Sequence, residues 1–278
     1  MHVCKTVKET GEIIREWKQQ GFNVGLVPTM GALHAGHKSL IDKARTSCDK
    51  VVVSIFVNPT QFGPDEDFDK YPRTFDRDKK LCEQAGVDLI FHPDVSDMYE
   101  GKHNFTVQVP RFYNDKLCGK TRQGHFNGVA TVVLKLFNIT TPDYAFFGQK
   151  DLQQLIILKQ MCQNLNIPAE IVLCPIIREE SGLALSSRNS YLTAKEKEKA
   201  ASINAVLGKI QELYTQGVTD KDKVFKQALE LLDNSIRIEY LEAHSLNNLD
   251  YSDKLQHNTF IAIAVKLNNV RLIDNVIL

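Results

Sequence analysis

Val24 to Leu40 reads VGLVPTMGALHAGHKSL, and this stretch decides the fold. Val24 to Val27 is a short apolar, β-branched run. Pro28 and Gly31 interrupt it, and from His34 onward Leu40, Ile41 and Ala44 recur at helical spacing. Strand, tight turn and helix in that order open a parallel α/β sheet. A turn of this kind is expected to leave backbone N–H groups open at the helix N-terminus, where phosphate binds readily. His34 and His37 stand three residues apart and share one helix face, so both rings can address one anion. Gly36 between them lets a ligand approach the backbone closely. The same spacing would suit two metal ligands, although no third stands nearby. It would also suit two ordinary histidines with no ligand, and this stretch alone leaves those alternatives open.

Outward from it the pattern repeats. Ile13, Ile14 and Trp17 predict a helix over 7–20. Lys50 to Val57 (KVVVSIFV) reads as a strand buried on both faces and stopped by Asn58-Pro59. Asp65 to Tyr71 is acidic and reads as a surface loop. Thr74 to Ala85 reads as a helix, Val87 to Phe91 as a strand, and Phe105 to Val109, by alternation, as a sheet-edge strand. Gly128 to Ile139 has the length and periodicity of a helix. A strand (Asp143 to Phe147), a helix (Lys150 to Leu165) and a strand (Ala169 to Leu173) follow. The expected fold class is α/β, a Rossmann-like doubly wound parallel sheet over 1–176 with ligands at the C-terminal strand ends.

After Pro175 the character changes. Ile177 to Asn189 is loop-like. Thr193-x-x-Glu196 is a capping box opening a helix to about Gln216, and a second helix spans about Thr219 to Asp233. Alternating runs at Ile236–Ala243, Thr259–Leu267 and Arg271–Leu278 complete a smaller α+β domain, 177–278, with an antiparallel sheet.

Composition limits the function classes. Lys plus Arg number 34, as do Asp plus Glu, so no net field selects nucleic acid or an anionic membrane. No apolar run nears the ~20 residues of a membrane span. Met1 to Glu16 is mixed and charged, unlike a secretion signal. The six scattered cysteines form no CxxC pair, which fits reduced thiols in a cytoplasmic protein.

Each conspicuous polar cluster follows a predicted strand: Met30, His34 and His37; Asn58 and Gln61; Gly148-Gln149-Lys150-Asp151 with Gln154; Arg178 and then Leu185-Ser186-Ser187-Arg188. So placed, they are expected to converge on one crevice. Asn58, Gln61 and Gln154 can hold hydroxyls and carboxylates without bringing charge. Lys150 is a compact cation suited to a phosphate oxygen, and it opposes the dipole of the helix it precedes. Asp151 suits that dipole or a ribose hydroxyl. Ser186, Ser187 and Arg188 offer two hydroxyls and a bidentate cation. Taken singly, each of these residues also fits an ordinary turn, cap or polar loop.

Together these residues resemble the pantothenate synthetase (pantoate–β-alanine ligase) family, over nearly the whole chain. The resemblance is carried by PTMGALHAGH at Pro28–His37, FVNPTQFGPDEDF at Phe56–Phe68 and YPRTFDRD at Tyr71–Asp78. It continues through GHFNGVATVVLKLFNI at Gly124–Ile139, FGQKD at Phe147–Asp151 and LALSSRNSYL at Leu183–Leu192. His-x-Gly-His alone indicates only the wider nucleotidyltransferase superfamily. Gln123 departs from the family, which usually has Pro between the Arg and Gly of this segment, and that bears on loop rigidity.

The resemblance implies that pantoate attacks the α-phosphate of MgATP to give pantoyl adenylate, and that β-alanine then displaces AMP. It implies catalytic roles for His37, His34 and Lys150. It implies ATP contacts from Met30, Gly31, Ala32, Leu33, His34, Ala35, Gly36 and His37, from Gly148, Gln149, Lys150 and Asp151, from Ile177, and from Leu185, Ser186, Ser187 and Arg188. Gln61, Gln154 and Asn58 would bind pantoate and β-alanine. Mg²⁺ would ride on the phosphates. The C-terminal domain would act as a lid, and the N-terminal domain would form a homodimer.

Overall fold

The computed structural model describes residues 1–64, 66–101 and 104–278. It divides into two compact units, one of Met1–Gly148 with Ile157–Pro175 and one of Gln149–Ile156 with Ile176–Leu278.

In the first unit the chain runs β1 (His2–Cys4), α1 (Val7–Gln19), β2 (Val24–Thr29), α2 (Ala35–Ser47), β3 (Lys50–Ile55), α3 (Phe75–Gln84) and β4 (Leu89–Phe91). Three short helices follow, α4 (Val95–Met98), α5 (Arg111–Asn114) and α6 (Leu117–Thr121). Then come α7 (His125–Thr140), β5 (Tyr144–Gly148), α8 (Leu152–Asn164), which runs from the second unit into the first, and β6 (Glu170–Cys174). Among the described residues, six parallel strands form one sheet in the order β1-β4-β3-β2-β5-β6. Chain order reverses between β2 and β5, which makes that junction the topological switch point. Val24, Leu26, Val27 and Val51–Val53 are fully buried, as the unbroken apolar runs require of strands covered on both faces.

Two expectations are corrected here. Pro28 does not end β2, which pairs with β3 through Pro28↔Ser54 and Thr29↔Ile55. Thr29 O accepts from Phe56 N, so Thr29 faces β3 and the donorless Pro28 nitrogen faces the other side. There β5 pairs only with Gly25 and Leu26, so no ladder bond is lost. Phe105–Val109 is not a strand. Val107 N donates to Thr131 Oγ1 and Val109 N to Asn127 Oδ1, so side chains of α7 replace a neighbouring strand. The acidic loop begins at Asp65, which lies outside the described residues; Asp67 to Tyr71 forms turns, with Tyr71 buried.

The second unit holds α9 (Ala194–Ala200), α10 (Ser202–Thr215), α11 (Lys221–Leu229) and strands β7 (Arg237–Ser245), β8 (Thr259–Leu267) and β9 (Val270–Ile277) in an antiparallel sheet ordered β7-β8-β9. Thr193 and Glu196 form the expected capping box. The single long helix expected after it is two, because Ser202 Oγ donates to Lys199 O and accepts from Asp233 N, pinning a break at Ala201. Ile203, Val206, Leu207 and Ile210 pack with Ile261, Ile263 and Val265 as this unit's core.

Candidate active site

In the first unit the Met30–His37 turn and the Asn58–Gln61 segment follow the C-terminal ends of β2 and β3, and Gly148 is the last residue of β5; the three are neighbouring strands at the switch point. His34 is the N-cap of α2. Its Nδ1 accepts from Gly36 N at 3.1 Å, and His37 Nδ1 accepts from His34 N at 3.3 Å, a capping box built from two imidazoles. The rings lie 4.1 Å apart, centroid to centroid. An Nδ1 that accepts carries no proton, so each neutral ring holds its proton on Nε2 as a donor. In that form the pair carries two Nε2–H groups, a donor type suited to phosphoryl oxygens.

The stretch leading into the helix is closed from within. Gly31 N donates to Thr29 Oγ1, Ala32 N to Asp78 Oδ2 at 2.9 Å and Leu33 N to Asp78 Oδ1 at 2.8 Å. His34 N and Gly36 N are held by the rings, and the anion place at Ala32 and Leu33 is filled by the protein's own carboxylate. Gly31 lies at φ 82° and Ala32 at φ 50°. A Cβ at Gly31 would sit 3.1 Å from Asp78 Oδ2, so both conformation and space favour glycine there. Gly31 and Leu33 are buried, whereas Ala35 is exposed.

Gln61 ends the 3-10 turn Pro59–Gln61. Its Nε2 approaches Met30 Sδ at 2.9 Å and its Oε1 accepts from Asn58 Nδ2, so Met30, Asn58 and Gln61 do meet. Asn58 is 1% exposed and fully engaged: Nδ2 also donates to Gly128 O, and Oδ1 accepts from Thr60 and from Tyr99 OH. It reads as an anchor for Gln61 more than as a ligand. Gly128 was not singled out by the sequence, yet a Cβ there would lie 2.2 Å from Thr60 O, so only glycine lets α7 approach this turn. Gln61 O accepts from His125 Nδ1 at 2.7 Å, and Arg122 links His125 Nε2 to Glu66. Burial pushes the Glu66 carboxyl up most, but the Arg122 hydrogen bonds and charge, with His125, together hold it below 4.5.

In the second unit Gln149, Lys150 and Asp151 form a 3-10 turn ahead of α8, with Gln154 half-buried in that helix. Asn275 of β9, 3% exposed, donates to Gln149 O at 2.9 Å and Lys150 O at 3.0 Å and accepts from Gln149 Nε2. It fixes the backbone that carries Lys150, whose Nζ lies 3.8 Å from Asp151 Oδ1. Leu185 N donates to Ile177 O, bringing the two ends of that loop together. Ser186 Oγ caps the 3-10 helix Ser187–Tyr191 by accepting from Arg188 N. Asn189 Nδ2 ties this helix to Glu179 Oε1 and Ala184 O. Arg178, noted in the sequence as part of this cluster, is engaged elsewhere, in a two-pronged ion pair with the buried Asp274. Among the described residues no group of three or more His, Cys, Asp or Glu is placed to hold a metal ion.

The family model described as Pantoate-beta-alanine ligase matches residues 2–277. Pantothenate synthetase of Acetivibrio thermocellus is 47% identical over 279 residues, covering 100% of this chain and 99% of the relative. That of Thermotoga petrophila is 44% identical over 280 residues, covering 100% of both. The crystal structure of pantothenate synthetase from Thermus thermophilus superposes with a TM-score of 0.93 at 40% identity, covering 99% of both chains. A pantoate–β-alanine ligase from Francisella tularensis, solved in complex with beta-gamma ATP and β-alanine, gives a TM-score of 0.80 at 35% identity, covering 100% of this chain and 97% of that one.

Proposed function

The chain belongs to the pantoate–β-alanine ligase family, and from that membership we propose that it condenses (R)-pantoate with β-alanine, using ATP. The products are pantothenate, AMP and pyrophosphate, and pantoyl adenylate is the intermediate. The observation that carries the reading is the imidazole pair, His34 and His37, with both Nδ1 atoms spent on backbone N–H groups.

In the first step a pantoate carboxylate oxygen forms a bond to the α-phosphorus while the bond to the bridging oxygen of pyrophosphate breaks. Such transfers need alignment and charge neutralisation more than covalent help. His37 and His34 donate through Nε2–H to the α-phosphoryl oxygens as charge builds there. Lys150 and Arg188 hold the triphosphate, with Ser186 and Ser187 adding hydroxyl donors. Gly148 and Asp151 serve the ribose region, Ile177 serves adenine through the backbone, and Gln149 and Leu185 are further ATP contacts. Gln61 and Gln154 bind the pantoate hydroxyls and carboxylate, and Asn58 acts through Gln61. In the second step the β-alanine amine attacks the acyl carbon, AMP leaves, and the nitrogen loses a proton. Mg²⁺ enters with ATP as part of the substrate.

The same reading takes 1–176 and 177–278 as domains, the enzyme as a cytoplasmic homodimer, and nucleic acid as no part of its function. The six buried thiols suit a reducing compartment. Among the described residues no helix is long and apolar enough to cross a membrane. Pantoate-dependent exchange of labelled pyrophosphate into ATP, without β-alanine, tests the first step. Equimolar AMP and pantothenate on adding β-alanine test the second. ADP as product, or AMP transferred to an acceptor with no amine required, would replace this reading. Sedimentation equilibrium tests the dimer.

A further inference from the structure

Asp78 stands in the first turn of α3, where a carboxylate would ordinarily serve the helix dipole. It is instead 1% exposed and turned to another segment. Its oxygens accept from Ala32 N at 2.9 Å, Leu33 N at 2.8 Å and Thr74 Oγ1 at 3.2 Å. Successive N–H groups in a turn with positive φ form a concavity for an anion. Here it ends at Leu33, whose side chain is buried in the core, one residue before the first imidazole. The backbone that Asp78 grips therefore leads straight into the His34–His37 capping box.

We propose that Asp78 is a positioning residue for the imidazole pair. Filling the turn at Ala32 and Leu33 fixes the entry to α2, and this keeps both Nδ1 atoms on backbone N–H groups and both protons on Nε2. A carboxylate is suited to this because its two oxygens can accept from two adjacent N–H groups at once. An amide in its place would set an NH₂ donor against one of them. The kinetic consequence rests on the adenylation proposed above; the tautomer consequence does not.

The test compares wild type with Asp78→Asn and with Thr74→Val, which removes only the third bond to the carboxylate. Imidazole ¹⁵N spectra of the ligand-free protein, assigned with His34→Gln and His37→Gln, report the tautomers. Pyrophosphate exchange reports kcat and KM. Wild type should show the Nε2–H form at both rings. Asp78→Asn should mix the tautomers and lower kcat by about 10-fold or more, as for a small misplacement of reacting groups, with KM for pantoate little changed. Thr74→Val should move both readouts the same way by less. A folded Asp78→Asn with wild-type imidazole spectra would reduce Asp78 to a fold-stabilising residue and overturn the proposal, whatever its kcat. If that variant does not fold, Thr74→Val decides by the same spectra. If wild type shows no pantoate-dependent exchange, the adenylation reading falls and the spectra alone decide the role of Asp78.

Discussion

His37 does two jobs with two nitrogens. Nδ1 accepts the His34 amide and closes the capping box, and Nε2 keeps the proton. Substitution can separate them. His37→Ala should lower turnover by on the order of 10², the loss typical of one electrostatic donor, and cost about 1 kcal/mol of stability through the lost cap bond. His37→Asn can still accept through Oδ1 but has no donor where Nε2 stood. It should melt near wild type and be as slow as the alanine variant. Calorimetry beside exchange kinetics checks both, and wild-type kcat in either variant removes the ring from the chemistry. Lys150→Ala should raise the KM for ATP, and unchanged ATP kinetics would count against a phosphate role. The spacing of the histidines was legible because three residues along a helix is a local fact. The role of Asp78 was not, since the two amides it holds lie 45 and 46 positions away.

Among the elements, the contact of α7 with the 3-10 turn Pro59–Gln61 decides where Gln61 sits. Gly128→Ala would drive a Cβ against Thr60 O, a backbone atom that no rotamer change can move. The expected cost is about 1–3 kcal/mol of stability and a raised KM for pantoate with KM for ATP little altered. An alanine variant with normal pantoate kinetics would show the close approach to be irrelevant to the site. The Glu66–Arg122 pair braces the same turn through Gln61 O. Because folding lowers the Glu66 carboxyl from 4.5, the unfolded chain binds its proton first, and stability rises with pH across that window. The contribution is complete above 4.5 and fades as pH falls through the lower folded value. Denaturant titrations of Glu66→Gln should therefore lose part of the acid slope of wild type; an identical slope would remove the pair from the acid response. Nothing in the local pattern of Phe105–Val109 announced that it would lie on α7. Alternation of apolar residues describes a buried face, and a helix supplying side-chain acceptors satisfies it as well as a strand does.

For the whole molecule, all six cysteines are buried. Burial pushes the Cys48 and Cys162 thiols up to about 11 and the Cys82 thiol to about 12, with the Asp78 charge adding to the last. Native protein at about pH 8 should react with none of its six thiols, and unfolding should release all six to Ellman's reagent. Fast native reaction would mean that these segments open. What the chain determined by itself was the succession of strands and helices, the parallel sheet, the antiparallel one after Pro175 and the kinds of polar residue that follow each strand. Periodicity, β-branching and turn residues are written within a few positions of where they act. Only the tertiary structure decided what holds the candidate residues within each unit: in the first, Asp78 for the turn before His34 and Gly128 for the seat of Gln61; in the second, Asn275 for the turn carrying Lys150, and Asp274, which engages Arg178 apart from that cluster. Each of these joins residues far apart in the chain. A hydrogen bond or a backbone contact of that range leaves no period in the sequence, because it is set by how the folded elements meet.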